Sequence, residues 1–167
     1  MAGERMTSTE IWLRLIHTGS LCGDVMLEAA ARLQKQEHLN VLVARNAGLT
    51  AKQAERFFAL DESELERSLM WLEQPGHHLL TANHPLYPPL LRTIPDYPGA
   101  LFIKGNPETL NTVQLAVVGS RAPSWYGERW GKILCEQLSQ SGFTITSGLA
   151  CGCLLYTSPS PRDRSLS

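Results

Sequence analysis

The sequence predicts an α/β protein in which short helices come first and a strand–helix–strand unit of a parallel sheet follows. Two observations lead to this prediction. Before position 75, apolar residues recur at helical spacing, and a capping residue precedes each run. After position 112, the continuous apolar run at residues 115–118 leads into a glycine turn and then into a second helical pattern. A buried parallel strand has this composition.

The helical domain is predicted over residues 1–74. Five residues can cap the N-termini of five short helices: Thr7 (with Glu10 three positions later), Asp24, Asn40, Thr50 and Asp61. The second helix is predicted to end near residue 36, the third at 46, the fourth at 60 and the fifth at 73. Trp12 and Trp71 lie in apolar helical settings and are predicted core residues.

Residues 75–112 form a predicted connector that packs on the following domain. Seven prolines in this span exclude long helices. Leu79 and Leu80, and then residues 101–103, have the composition of short strands. Three histidines also lie here (His77, His78 and His84), but no carboxylate or cysteine stands at ligand spacing, so no metal site is predicted.

The strand–helix–strand unit is predicted over residues 113–152. Gly119 permits a sharp turn after the first strand, and Ser124 can cap a helix that extends to about residue 142. The second strand, at residues 143–146, ends in another turn of small residues, Ser147 and Gly148. Loops at the carboxyl ends of parallel strands, beside a helix N-terminus, favour bound phosphate.

Arg121 is the informative residue of the first loop. Its guanidinium can bind two phosphate oxygens at once, and the Ser124 hydroxyl can reach the same ligand. The alternative is an ordinary turn in which Arg121 pairs with a nearby carboxylate. The loop is not the G-x-G-x-x-G dinucleotide fingerprint, because Ser120 and Arg121 follow Gly119 and the next glycine is Gly127.

The composition argues against a broad polyanion-binding surface and against a membrane protein. A hydrophobic content of 43%, a charged content of 19% and a net charge of −1 suit a globular protein and argue against a broad polyanion-binding surface. No run approaches the roughly 20 apolar residues of a membrane span, and no apolar signal core is present, so no membrane partner and a cytoplasmic location are predicted. The cysteines form no disulfide pattern, and Cys22 and Cys135 are predicted buried thiols.

Several stretches together resemble the DNA-processing protein A (DprA/Smf) family. Their order and spacing match the family over about residues 7–152: Tyr87-Pro-Pro-Leu-Leu91, Asp96-Tyr-Pro-Gly-Ala-Leu-Phe102, Val117-Val-Gly-Ser-Arg121, Ser124-Trp-Tyr-Gly127 and Thr146-Ser-Gly-Leu-Ala150. The resemblance implies a helical N-terminal domain followed by a Rossmann-like domain, here truncated.

The resemblance also implies a function. Such proteins are not enzymes and need no cofactor. They hold incoming single-stranded DNA during natural transformation, help to load the RecA-type recombinase and work as homodimers. Matched position by position, Gly119, Ser120, Arg121 and Ser124 correspond to the family's phosphate-binding G-S-R-x-x-S loop. Ser147 and Gly148 correspond to the start of its S-G-x-A-R-G-I-D motif. At that motif's arginine this chain has Cys151, which deletes one positive charge.

The resemblance ends after Gly152. Residues 153–163 resemble the in-frame translation of a transposon-type sequencing-library adapter, so residues 153–167 are interpreted as an artefact. A domain cut short at this point would lack neighbouring strands, and we expect its second half to be unstable as written.

One enzymatic function and one other possible DNA site are weighed beside DNA binding by the loops. A nucleotide phosphoribohydrolase of the lysine-decarboxylase-like type shares a Rossmann-like sheet, but its P-G-G-x-G-T-x-x-E stretch is absent here. Residues 45–50 also bear a faint likeness to a DNA-binding helix–hairpin–helix, with Lys52 and Arg56 nearby. A plain helical connection is favoured there, because no basic cluster supports phosphate affinity.

Overall fold

The computed structural model describes residues 6–120 and 122–148. Its contacts divide the chain into two compact units, Met1–Leu110 and Asn111–Ser167. Three predicted features lie outside the described residues: Arg121, the stretch 149–152 that includes Cys151, and the adapter-like segment 153–167. No helix within the described residues is long and apolar enough to cross a membrane.

Five helices build the first part of the first unit, as the sequence predicts. They are α1 (Ser8–His17), α2 (Gly23–Leu33), α3 (Val41–Asn46), α4 (Ala51–Ala59) and α5 (Glu62–Leu72). The apolar faces of α1 to α4 meet in one core, in which the largest fully buried residues are Leu15, Leu33 and Phe57. Burial of these faces stabilises helices that are individually too short to persist in water.

Three of the five predicted caps bind the helix backbone. Thr7 accepts a hydrogen bond from the Glu10 amide at 3.2 Å, and Asn40 accepts one from the Val43 amide at 2.9 Å. Thr50 and Gln53 form the complete reciprocal capping box of α4. Asp61 stands at the N-cap of α5, but its side chain accepts no hydrogen bond from the helix backbone.

The predicted cap of α2 is wrong. Cys22 holds the N-cap position, and Asp24 lies inside the first turn, where it accepts the Tyr97 hydroxyl instead. The helix also ends at Leu33, short of the predicted residue 36. Cys22 is exposed, contrary to prediction, whereas Cys135 is buried as expected.

The proline-rich span forms an antiparallel hairpin. Strands β1 (His77–Thr81) and β2 (Ala100–Lys104) pair in a register that runs from His77 opposite Lys104 to Thr81 opposite Ala100. Short 3₁₀ helices occupy Pro89–Thr93 and Pro107–Asn111. Both predicted short strands are therefore confirmed, each extended by a few residues.

This hairpin belongs to the same compact unit as the helices. Leu79 and Ala100 pack against the helical core, and a second small core forms around Leu80, Ala82, Tyr87 and Tyr97. Trp71 is only half-buried, whereas Trp12 is buried. The indole of Trp71 stacks on His77 with ring centroids 4.0 Å apart. The predicted boundaries at residues 74 and 112, and the packing of the connector on the second domain, stay predictions.

The second unit contains the predicted strand–helix–strand arrangement. Strands β3 (Gln114–Ala116) and β4 (Thr144–Thr146) pair in parallel, and α6 (Trp125–Gln140) connects them. The predicted buried strand over residues 115–118 is wrong in extent and in burial, because β3 ends at Ala116 and Val118 is 87% exposed. Among the described residues of the unit, β3 and β4 form a sheet of two strands, and no third strand pairs with either of them.

Candidate functional site

Parallel pairing brings two loops to one edge of the β3–β4 sheet. Ala116 pairs with Thr146, and the Val117 amide donates to the Thr146 carbonyl at 2.8 Å, which continues the ladder one residue beyond β3. Gly119 and Ser120 therefore leave the sheet at the same edge as Ser147 and Gly148. The carboxyl edge of parallel strands is where ligands of such sheets bind.

Serine side chains shape the first loop. The Ser120 Oγ accepts a hydrogen bond from the Ala122 amide at 3.2 Å, and the Ser124 Oγ accepts one from the Gly127 amide at 3.2 Å. Ser124 has extended backbone angles (φ −71°, ψ 157°) and is the N-cap of α6, as predicted. Each hydroxyl also has a hydrogen to donate, so the same side chains can bind an anion.

The N-terminus of α6 opens directly onto this loop. The first backbone amides of a helix have no partner within the helix and carry partial positive charge, which favours an anion. Residues 117–132 contain three basic side chains (Arg121, Arg129 and Lys132) and one acidic side chain (Glu128), a local balance of +2 in a chain of net −1. Phosphate is the anion that this combination suits.

Exposure at this edge is high. Gly119, Ser120 and Gly148 are exposed, and Ser147 is half-buried. A Cβ placed on Gly148 would meet no heavy atom within 4 Å. The described structure thus places Gly119, Ser120, Ser147 and Gly148 at one sheet edge and Ser124 at the N-cap of α6, while Arg121 lies outside the described residues.

Sequence reasoning missed the aromatic surface next to this loop. Trp125 is 72% exposed, and Tyr126 and Trp130 are also exposed. The spacing contained a signal. Tyr126 precedes Cys135, a predicted buried residue, by nine residues, which is two and a half helical turns, so Tyr126 is on the opposite side of the helix.

Two protein-family models match the chain, one over the helical part and one over the part that contains the strands. A family model described as "SMF/DprA SAM domain" matches residues 6–70. A second model, described as "DNA recombination-mediator protein A", matches residues 78–156.

Individual relatives agree with these models. The chain is 54% identical over 147 residues to Protein Smf of Escherichia coli (strain K12), a match that covers 88% of this chain and 39% of that protein. It is 32% identical over 90 residues to the DNA processing protein DprA of Bacillus subtilis (strain 168), covering 53% of this chain and 30% of that protein. The chain thus spans well under half the length of these relatives.

A solved structure has a similar fold. The X-ray structure of DNA processing protein A from Streptococcus pneumoniae superposes with a TM-score of 0.64 at 27% sequence identity. The match covers 92% of this chain and 53% of that chain. A helical domain joined to a Rossmann-like domain fits this likeness.

Proposed function

Because the chain belongs to the DprA/Smf family of DNA-processing proteins, we propose that it binds single-stranded DNA through the loops at the carboxyl edge of β3 and β4. Gly119, Ser120, Ser124, Ser147 and Gly148 would supply backbone amides and hydroxyls to the phosphates, and Arg121 would supply the charge. We further propose that the intact protein is a homodimer, that it acts in the cytoplasm and that it catalyses no reaction.

The observation that supports this proposal best is the convergence of two small-residue loops and one capped helix N-terminus. Such an arrangement offers several hydrogen-bond donors to an anion and no base-reading side chain within the loops. Phosphate contacts position a nucleic acid without reading its sequence. We therefore propose binding to single strands of any sequence.

The proposal extends to the role of the intact protein. Bound single strands would be held during natural transformation and passed to a RecA-type recombinase. Capture of a purified recombinase by the DNA-bound protein would support this role, and absence of any such complex would contradict it. Sedimentation of the full-length protein as a monomer at micromolar concentration would contradict the homodimer.

Binding of a fluorescent oligothymidylate, followed by anisotropy at several salt concentrations, tests the DNA site. We expect Arg121→Ala to weaken affinity by roughly tenfold or more for all sequences alike, since one charge-assisted hydrogen-bond pair is lost. The slope of log affinity against log salt should decrease in magnitude by about 0.7 for each lost phosphate contact.

Lys35→Ala provides the matched control. Lys35 is an exposed base in the first unit, and its removal changes net charge by the same amount. If both variants weaken binding equally, the effect is general electrostatics and the loop is not the site. If Arg121→Ala changes neither affinity nor salt dependence, the proposed role of Arg121 is wrong.

The competing enzymatic function has a direct test. A nucleotide phosphoribohydrolase would release free base from nucleoside monophosphates. We expect the full-length protein to release no free base. If it did release base, and if Arg121→Ala abolished this activity, we would conclude that this edge of the sheet is an enzyme active site and not a DNA-binding site.

A further inference from the structure

Helix α6 exposes three large aromatic side chains in its first two turns. Trp125 is 72% exposed, Tyr126 is 65% exposed and Trp130 is 53% exposed. Single exposed apolar residues are common on protein surfaces, but a cluster of aromatic rings marks an interaction site. We call Trp125, Tyr126, Arg129 and Trp130 the aromatic face.

Tyr126 and Trp130 point away from the buried side of α6, whereas Trp125 lies about 80° around the helix from the buried Cys135. Among the sixteen residues of this helix, all described, Cys135 is the one that is fully buried. At about 100° per residue, Tyr126 lies half a turn around the helix from Cys135. Packing among the described residues of the second unit therefore does not account for the side chains of Tyr126 and Trp130.

Two contacts order these side chains, and one of them includes a positive charge. The ring centroids of Tyr126 and Trp130 are 5.9 Å apart, and the guanidinium carbon of Arg129 lies 5.3 Å from the centroid of the Trp125 ring. An arginine in this position is attracted to the ring and remains able to interact with an anion.

One acidic group borders the aromatic face. Glu128 lies about 160° around the helix from Tyr126, but it is three residues after Trp125 and is therefore a neighbour of Trp125 on the helix surface. Glu136 lies about two turns beyond Arg129, where its carboxylate is 3.9 Å from the Lys132 ammonium. Arg129 is three residues after Tyr126 and four after Trp125, so it places a positive charge between these two rings, and this charge is complementary to a nucleic-acid strand.

We propose that the aromatic face stacks the bases of the single strand whose phosphates bind the adjacent loop, an inference that rests on the proposed function. Trp125 directly follows Ser124, the last residue of that loop. Trp125 and Trp130 are about 7.5 Å apart along the helix axis and about 140° apart around it, so each ring would stack on a separate base. Stacking on aromatic rings tolerates any sequence, because every base has a π face.

The test compares two oligomers of equal length and charge. One is oligothymidylate, and the other is the same sugar–phosphate chain with abasic sites in place of the bases. The full-length wild-type protein should bind oligothymidylate about tenfold or more tightly than the abasic oligomer. It should also show quenched tryptophan fluorescence with oligothymidylate and much less quenching with the abasic oligomer.

The double variant Trp125→Leu/Trp130→Leu keeps apolar side chains at both positions and removes the indole rings. We expect its preference for oligothymidylate to fall towards one while its affinity for the abasic oligomer is unchanged. Trp125→Tyr/Trp130→Tyr restores aromatic rings and should restore the preference. Leu134→Ala, at another exposed apolar position of α6 (53% exposed), should leave the preference at its wild-type value.

Several outcomes would overturn the inference. A preference that persists in the leucine variant would exclude stacking on this face, while loss of affinity for both oligomers in Arg121→Ala would still support the phosphate site. A decrease in Leu134→Ala equal to that in the leucine variant would indicate that another protein surface covers the helix. Wild-type protein that binds neither oligomer would overturn this inference and the proposed function together.

Discussion

The hydroxyl of Tyr97 donates a hydrogen bond to the carboxylate of Asp24 at an O–O distance of 2.7 Å, across 73 residues of sequence. The backbone amide of Gly23 donates in turn to the Tyr97 carbonyl at 2.8 Å. Tyr97 is only 3% exposed. These two bonds attach the proline-rich segment to the start of α2 and explain why the hairpin and the helices form one unit.

Stability of the first unit should decrease at alkaline pH because of Tyr97. Burial, and then the hydrogen bond and charge of Asp24, raise the pKa of Tyr97 above its ordinary 10.0. Burial also raises the pKa of Tyr87. Below pH 10 the folded and unfolded chains both keep these protons. Above that pH the unfolded chain releases them first, so the free energy of unfolding falls as pH rises towards the folded pKa.

The variant Tyr97→Phe should show a shallower alkaline decrease in urea-unfolding free energy, measured by circular dichroism between pH 8 and pH 11. At pH 8 it should be about 1 kcal/mol less stable, because one hydrogen bond is lost. Tyr126→Phe, at an exposed position of the second unit, is the control and should behave as the wild type. An unchanged pH slope in Tyr97→Phe would show that burial of this phenol is not the cause.

Gly23 is the position in the first unit where an added methyl group should be most disruptive. Its φ of +59° is left-handed, and a Cβ there would lie 2.6 Å from the backbone carbonyl oxygen of Pro95. Gly23→Ala should therefore cost the roughly 1–2 kcal/mol of left-handed strain and a further penalty for displacing backbone.

Gly76→Ala separates these two contributions. Gly76 has a similar φ of +74°, but its nearest neighbour to an added Cβ is the Gly105 amide nitrogen at 3.9 Å. We expect Gly76→Ala to lose only the strain energy, and Gly23→Ala to have a clearly lower urea midpoint. Equal midpoints would mean that the Pro95 carbonyl moves aside without cost.

Local chemistry made most of the helical domain predictable. Thr7, Asn40 and Thr50 bind amides only three residues away, so the information for these caps lies within one turn of sequence. Asp24 looked equivalent, yet its carboxylate binds a hydroxyl supplied from residue 97. A long-range partner of this kind leaves no local pattern, and the predicted cap was wrong for that reason.

Pairing in the second unit was predictable, but exposure was not. The apolar run at residues 115–118, the run at residues 143–146 and the intervening helix predict a parallel pair, and β3 and β4 confirm it. Exposure of Val118 and Trp125 depends on which neighbouring elements cover them, and spacing alone does not contain that information. The placement of Arg121 stays a prediction from the sequence.

Residues 111–148 should open more readily than the first unit. Cys135 is the one fully buried residue described in this range, whereas Val113 is 68% exposed and Val118 is 87% exposed. Little apolar burial means a low free energy of local unfolding. Limited proteolysis should therefore cleave within residues 111–148 before it cleaves within residues 8–104.

Oligothymidylate at concentrations well above its dissociation constant should slow this cleavage, because a ligand that binds only the folded form stabilises it. A single cooperative melt with equal protection of both ranges would contradict the expected difference. Mass spectrometry of the early fragments identifies the cleaved range.

Substitutions of Ser124 should distinguish its role as the cap of α6 from its role in binding phosphate. Its Oγ accepts the Gly127 amide at 3.2 Å, and asparagine and aspartate cap helices as well as serine does. Ser124→Asn should therefore keep the stability of α6, and so should Ser124→Asp. Ser124→Ala should lose about 1 kcal/mol.

DNA affinity should follow a different order. Ser124→Asp places a negative charge beside the phosphate, so it should weaken oligothymidylate binding much more than Ser124→Asn, and the difference should shrink as salt rises. Hydrogen exchange of α6 reports the cap, and anisotropy reports the binding. If Ser124→Asp bound as tightly as Ser124→Asn at low salt, no phosphate would lie near residue 124, and the candidate site would have to be elsewhere.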